Sequence, residues 1–129
     1  MTAVVLDASA LLALLLAEPG AEIVAAHIHD SFISSVNFAE VVGHYAKHEA
    51  SESQIRELLR PLPLVIIPFD EAAAFRAGLL RPLGESVGLS LGDRACLSLA
   101  RFEGRPAVTA DRAWRAIGQA YGVTVAMIR

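Results

Sequence analysis

The chain of 129 residues is poor in the residues that cross-link proteins or make them strongly charged. A single cysteine, Cys96, excludes an intramolecular disulfide and any multi-cysteine zinc site. It lies in an apolar helical stretch, where a cysteine behaves as a small buried hydrophobe. Aromatic residues make up 6% of the chain and charged residues 19%, against 54% apolar. That balance excludes disorder, a charged tail and a coiled coil, and leaves aliphatic side chains to build the core. The net charge of −3 excludes a strongly basic nucleic-acid coat, so a polyanion would need a local basic patch. Lys47 is the only lysine beside ten arginines, and arginine suits bidentate phosphate contacts. The apolar run Ala8–Ala17 has no basic residue before it, has Asp7 at its start, and falls short of the roughly 20 residues a membrane span needs. It reads as a buried helix of a cytoplasmic protein with no membrane segment. No glycine-rich loop follows the first strand and no P-loop occurs, which excludes a dinucleotide-binding site.

What is present is alternation. Short β-branched runs stand at Ala3–Leu6, Phe32–Ser34, Leu64–Pro68, Ala107–Thr109 and Val123–Met127. Between them lie stretches of helical spacing at Ser9–Ala17, Ala21–His29, Val36–His48, Ser53–Arg60, Glu71–Leu80, Leu91–Glu103 and Arg112–Tyr121. Pro19-Gly20, Pro61, Pro63, Pro82-Leu83-Gly84, Gly104 and Gly122 punctuate the helix ends. The length fits one domain over residues 1–129. Strands alternating with helices predict a parallel sheet with helices on both faces. Ligands of such sheets sit at the carboxyl ends of the strands, near the switch in strand order.

The acids fall on that edge. Asp7 follows the first strand, Glu40 lies just after the second, in the first turn of the next helix, and Asp111 follows the fourth. Asp93 opens the sixth helix and shares a face with Leu97 and Ala100, which places a carboxylate on a core-facing stripe. Glu40 points away from its helix's apolar stripe of Phe38, Val41, Val42 and Tyr45. Each acid taken singly reads as a helix cap: Asp7 and Asp111 precede helices, Ser90-x-x-Asp93 and Asn37-x-x-Glu40 resemble capping boxes, and Asp70 is a plain N-cap. Taken together, four carboxylates on one edge with no lysine nearby call for a hard cation. Oxygen-only ligands favour Mg²⁺ or Mn²⁺, and such an ion suits hydrolysis at phosphorus. His27, His29, His44 and His48 fall away from the strand edge and read as surface or interface residues. His44 and His48 have metal-ligand spacing but no evident third ligand.

The motifs Asp7-Ala-Ser-Ala, Asn37-Phe-Ala-Glu40, Leu89-Ser-Leu-Gly-Asp93-Arg-Ala and Thr109-Ala-Asp111-Arg-Ala-Trp114 resemble, in order and over essentially the whole chain, those of PIN domains, and more closely VapC-type toxins. The resemblance implies a three-layer α/β/α sandwich with a five-stranded parallel sheet, and an endoribonuclease that cuts single-stranded RNA with Mg²⁺ or Mn²⁺. Asp7, Glu40 and Asp93 would form the main metal site and Asp111 a supporting or second-metal ligand, with the hydroxyls of Ser9 and Thr109 assisting. Water would attack and leave 5′-phosphate and 3′-hydroxyl ends. The resemblance also implies a homodimer and a cognate antitoxin covering an apolar groove, with Leu11–Leu16 and Ile23–Ala26 as one hint of it. The stripe of Phe38, Val42 and Tyr45 is one candidate dimer surface. Arg94, Arg112 and Arg115 are the best candidates to hold RNA, with Arg76 and Arg81 behind them. Trp114 reads as core or as a platform for a base.

Other readings have specific requirements. A phosphoacceptor receiver domain would need paired acids after the first strand and a lysine after the fifth. An aspartyl-nucleophile phosphatase would need an acid where Ser9 stands. A non-catalytic scaffold that binds RNA or a partner would use the acids as caps alone, and metal dependence separates it from a nuclease.

Overall fold

The structure is a computed structural model and describes residues 3–129. Five strands form one parallel sheet: β1 (Val4–Leu6), β2 (Ser31–Ser34), β3 (Leu64–Ile67), β4 (Ala107–Thr109) and β5 (Val125–Met127), in the order β3-β2-β1-β4-β5. The chain builds outward from β1 to β3, then returns to the other side of β1. The order therefore reverses between β1 and β4, where Val5 is the register partner of both Phe32 and Ala107.

Strand alternation sorts the two cores. Val4, Leu6, Ile33 and Val108 point to one face and pack on α1 (Ala8–Leu15), α2 (Ala21–His27), α3 (Ser35–Lys47) and α4 (Glu52–Leu59). Val5 and Ala107 point to the other and meet Cys96, Leu97 and Trp114, from α7 (Leu91–Glu103) and α8 (Trp114–Tyr121). The outer helix α5 (Glu71–Leu79) lies on α7. The result is the expected three-layer α/β/α sandwich. Among the described residues, no helix is long and apolar enough to cross a membrane.

Several local expectations change. The proline of Pro82-Leu83-Gly84 does not simply end α5; it sits in the first turn of a short helix, α6 (Arg81–Gly84), where its missing N–H costs no hydrogen bond. Helix α3 starts at Ser35 with Ser34 as its cap, so Asn37 is not a cap, the Asn37–Glu40 capping box does not form, and Glu40 lies in the second turn rather than the first. Helix α8 starts at Trp114 instead of Arg112, and Asp111 caps the preceding turn by accepting from the Ala113 N–H. Phe38, Val42 and Tyr45 pack against the first core, and Phe38 and Val42 line an apolar groove of about 700 Å³ between α3, α4 and β3. Strand β3 is an edge whose Val65 and Ile66 are exposed, at 51% and 43%.

Trp114 is fully buried in the second core, with its indole N–H unpartnered. It is a core residue, out of reach of a base. Truncation to alanine is expected to cost about 3–5 kcal/mol, read as a lower urea midpoint. A loss under about 1 kcal/mol would overturn this placement.

Candidate active site

Asp7 ends β1 at the reversal of strand order and caps α1. Its Oδ1 accepts from the Ala10 N–H at 2.8 Å and the Ser9 hydroxyl at 2.7 Å, and its Oδ2 accepts from the Thr109 hydroxyl at 2.6 Å. The Ser9 Oγ accepts from the Ala110 N–H, and the Thr109 Oγ1 from the Asp111 N–H. Both hydroxyls thus contact Asp7, and they link it to the turn that carries Asp111. Burial pushes the Asp7 carboxyl up to about 6, against the lowering by these hydrogen bonds, and the charge of Asp93 raises it further.

Asp93 is half-buried in the first turn of α7 and forms the expected capping box: its Oδ2 accepts from the Ser90 N–H, and the Ser90 Oγ accepts from the Asp93 N–H. Glu40 projects from the exposed side of α3, as its position off the apolar stripe implies, and its carboxylate lies over Gly92 in the same first turn of α7. The Asn37 Nδ2, itself buried, donates to Glu40 Oε1 at 2.9 Å and to the Gly92 carbonyl at 3.0 Å.

Electrostatics define the neighbourhood. The buried Cys96 thiol is pushed well up, first by burial and then by the charges of Asp7, Asp93 and Glu40. These three carboxylates come from the residue after β1, from α3 and from the first turn of α7. Asp111 is not among them and stands exposed on the β4 side. Among the described residues the ion pairs are Arg56–Glu52, Arg60–Glu57, Arg81–Glu85 and Arg129–Glu18, so none of these four acids has a cationic partner.

Hydrogen bonding leaves Asp93 Oδ1, Glu40 Oε2 and Asp111 Oδ2 without a partner among the described residues. That is an oxygen-only donor set of the kind hard divalent cations take. No three His, Cys, Asp or Glu side chains among the described residues are gathered closely enough to hold an ion unaided. Mg²⁺ is commonly held by one or two carboxylates with water completing its shell.

Residues 4–120 match the family model of the PIN domain. The chain belongs to the PIN domain family. No curated protein matches the sequence. Solved structures share the PIN fold: a chain of a toxin–antitoxin complex from Klebsiella pneumoniae (22% identity, 98% of each chain, TM-score 0.73), one of DNA-bound VapBC from Salmonella typhimurium (19%, 100% of each, 0.75), and one of FitAcB from Neisseria gonorrhoeae (22%, 97% of each, 0.64).

Of the basic residues expected near this PIN-domain edge, Arg112 and Arg115 are exposed, whereas the Arg94 Nη1 donates to the Ala77 carbonyl and ties α7 to α5. Arg76 stacks on Phe102, and Arg81 pairs with Glu85. His44 in α3 and His48 at its C-cap hold their rings 4.7 Å apart at an angle of 34°, and the His48 Nδ1 hydrogen-bonds with the His44 carbonyl. Sequence reasoning missed the contact of Asn37 and Gly92 with Glu40. The visible signals were the Asn37-x-x-Glu40 spacing, read as a capping box, and a glycine one residue before an acid.

The unfolded Asp7 carboxyl ionises near 3.8 and the folded one near 6, so the fold binds this proton more tightly. The stabilisation is complete below pH 3.8 and is lost as the pH rises through 6. The metal-free chain is expected to lose on the order of 3 kcal/mol through this residue between pH 4 and pH 7. Denaturation across that range should show the loss in the native sequence and a flatter curve for Asp7→Asn. Parallel curves would overturn the assignment.

Proposed function

We propose that this PIN domain is a Mg²⁺- or Mn²⁺-dependent endoribonuclease acting on single-stranded RNA in the cytoplasm, as the toxin of a toxin–antitoxin pair. The observation that carries the reading is the placement of Asp7 at the end of the central strand and of Glu40 against the first turn of the helix that carries Asp93, with no cationic partner among the described residues. Their negative charge is oriented by hydrogen bonds but not neutralised, which leaves a divalent cation and a phosphodiester as its natural complement.

In this reading Asp7, Glu40 and Asp93 hold the ion and Asp111 supports it from the β4 side. The bound cation supplies activation of water and neutralisation of charge at the phosphate. Ser9 and Thr109 fix the Asp7 carboxylate through both of its oxygens. The N-terminus of α7 offsets part of the repulsion between Glu40 and Asp93. Arg112 and Arg115 stand free to meet the RNA backbone beside Asp111. Histidine has no role at the edge, which fits attack by water and products with 5′-phosphate and 3′-hydroxyl ends.

The solved relatives are described as toxin–antitoxin or VapBC complexes, which supports an antitoxin as the partner of this chain. The apolar groove lined by Phe38, Val42, Ile55, Leu59, Leu62 and Leu64 has the chemistry to take its segment. A homodimer belongs to the same proposal. With Phe38 and Val42 in the groove, the exposed Phe75, Leu79 and Phe102 offer a dimer more apolar surface than the α3 stripe. A second reading, a non-catalytic scaffold, is favoured by one fact: every one of the four acids already accepts an N–H or O–H hydrogen bond.

The test is cleavage of a mixed single-stranded RNA pool. Cutting is expected with Mg²⁺ or Mn²⁺, none with chelator, and at least a hundredfold less with Asp7→Asn or Asp93→Asn, with 5′-phosphate ends throughout. Folded protein that neither binds Mn²⁺ nor cuts would establish the scaffold instead.

A further inference from the structure

Helix α7 places a glycine where Glu40 arrives. A Cβ built on Gly92 would stand 2.5 Å from Glu40 Oε1, 2.6 Å from Oε2 and 2.7 Å from Cδ, closer than atoms of this kind approach. The glycine is helical, with no left-handed backbone to require it, and in a helix it is a poorer choice than alanine. Its absent side chain is the space the carboxylate fills.

Asn37 completes the arrangement from α3. Its side chain is 1% exposed, and its Nδ2 meets two acceptors, Glu40 Oε1 and the Gly92 carbonyl. With acceptors on both sides, the nitrogen must face them, and the orientation of the amide is fixed. The Oδ1 is buried without a partner among the described residues, a cost tolerated only where something else holds the group. One amide thus bridges the helix that carries Glu40 and the turn that carries Asp93.

We infer that Asn37 and Gly92 are positioning residues for Glu40: Gly92 leaves the space for its carboxylate, and Asn37 holds it there beside Asp93. The inference rests on the reading of Glu40 as a metal ligand. Its consequence is an opposition of signs. In Gly92→Ala the three atoms nearest the new methyl all belong to the far end of the flexible Glu40 side chain, which is expected to swing away, so the fold survives while the ligand is misplaced.

The experiment is Mn²⁺ titration by calorimetry of the full chain, with thermal unfolding of the metal-free protein alongside. Gly92→Ala is expected to weaken Mn²⁺ binding at least tenfold while its melting temperature stays level or rises, since alanine is the better helix former. Asn37→Leu, close in shape and without a donor, is expected to weaken binding several-fold. In a Glu40→Ala background, Gly92→Ala is expected to change Mn²⁺ affinity no further, because both act through one carboxylate. Native Mn²⁺ affinity in Gly92→Ala would overturn the positioning role alone. So would an undiminished effect of Gly92→Ala in the Glu40→Ala background. Native affinity in Glu40→Ala would overturn the ligand reading of Glu40, and the positioning role with it.

Discussion

The hydrogen bonds that hold the Asp7 carboxylate are the constraint on which the edge of this sheet depends. Strands β1 and β4 lie side by side although about a hundred residues separate Asp7 from Thr109. A carboxylate buried at that seam would be costly alone. Here a backbone N–H and two hydroxyls share it, and the same hydroxyls accept from the backbone beyond β4. One charged group thereby ties together the start of α1, the end of β4 and the turn at Asp111. A parallel sheet whose strand order reverses leaves a crevice at this place, and the Asp7 hydrogen bonds decide which side chains form its floor.

Capping and chemistry are usually opposed as explanations of an acid at a helix start. In this chain they work on different oxygens. The N–H groups that bind Asp93 and Asp111 each occupy one carboxylate oxygen and fix the direction of the other. Neutral donors orient charge without cancelling it. The edge stays negative while each acid is locally satisfied.

The layered fold was legible because it rests on periodicity. Alternating strand residues such as Val4, Val5 and Leu6 name their faces, and glycine and proline mark the ends. The place of Asp7 was legible because strand ends have fixed places in a parallel sheet, whereas Ser9 and Thr109 entered through the family motif alone. The starts of α3 and α8 were misjudged, since Ser34 competes with Asn37 as a cap and Asp111 closes a turn before its helix begins. What spacing could not reveal was the meeting of α3 with α7. Asn37 and Gly92 are 55 residues apart, and nothing in either segment announces that a glycine's missing methyl is matched to a glutamate elsewhere. Arg94 taught the same lesson in reverse: its place beside an acid concealed a bond to the backbone of α5.

The exposed edge at β3 has a consequence for how the chain behaves among its own copies. A strand paired on one side only, with Val65 and Ile66 exposed, is a template onto which another strand can be added. Pro63 and Pro68 bracket Leu64–Ile67, and neither has an N–H to extend a ladder. A strand recruited from another molecule would find four residues and then a stop at each end. The two prolines thus set an upper limit on the sheet's growth, and resistance to fibre formation is written into the same segment that would otherwise seed it.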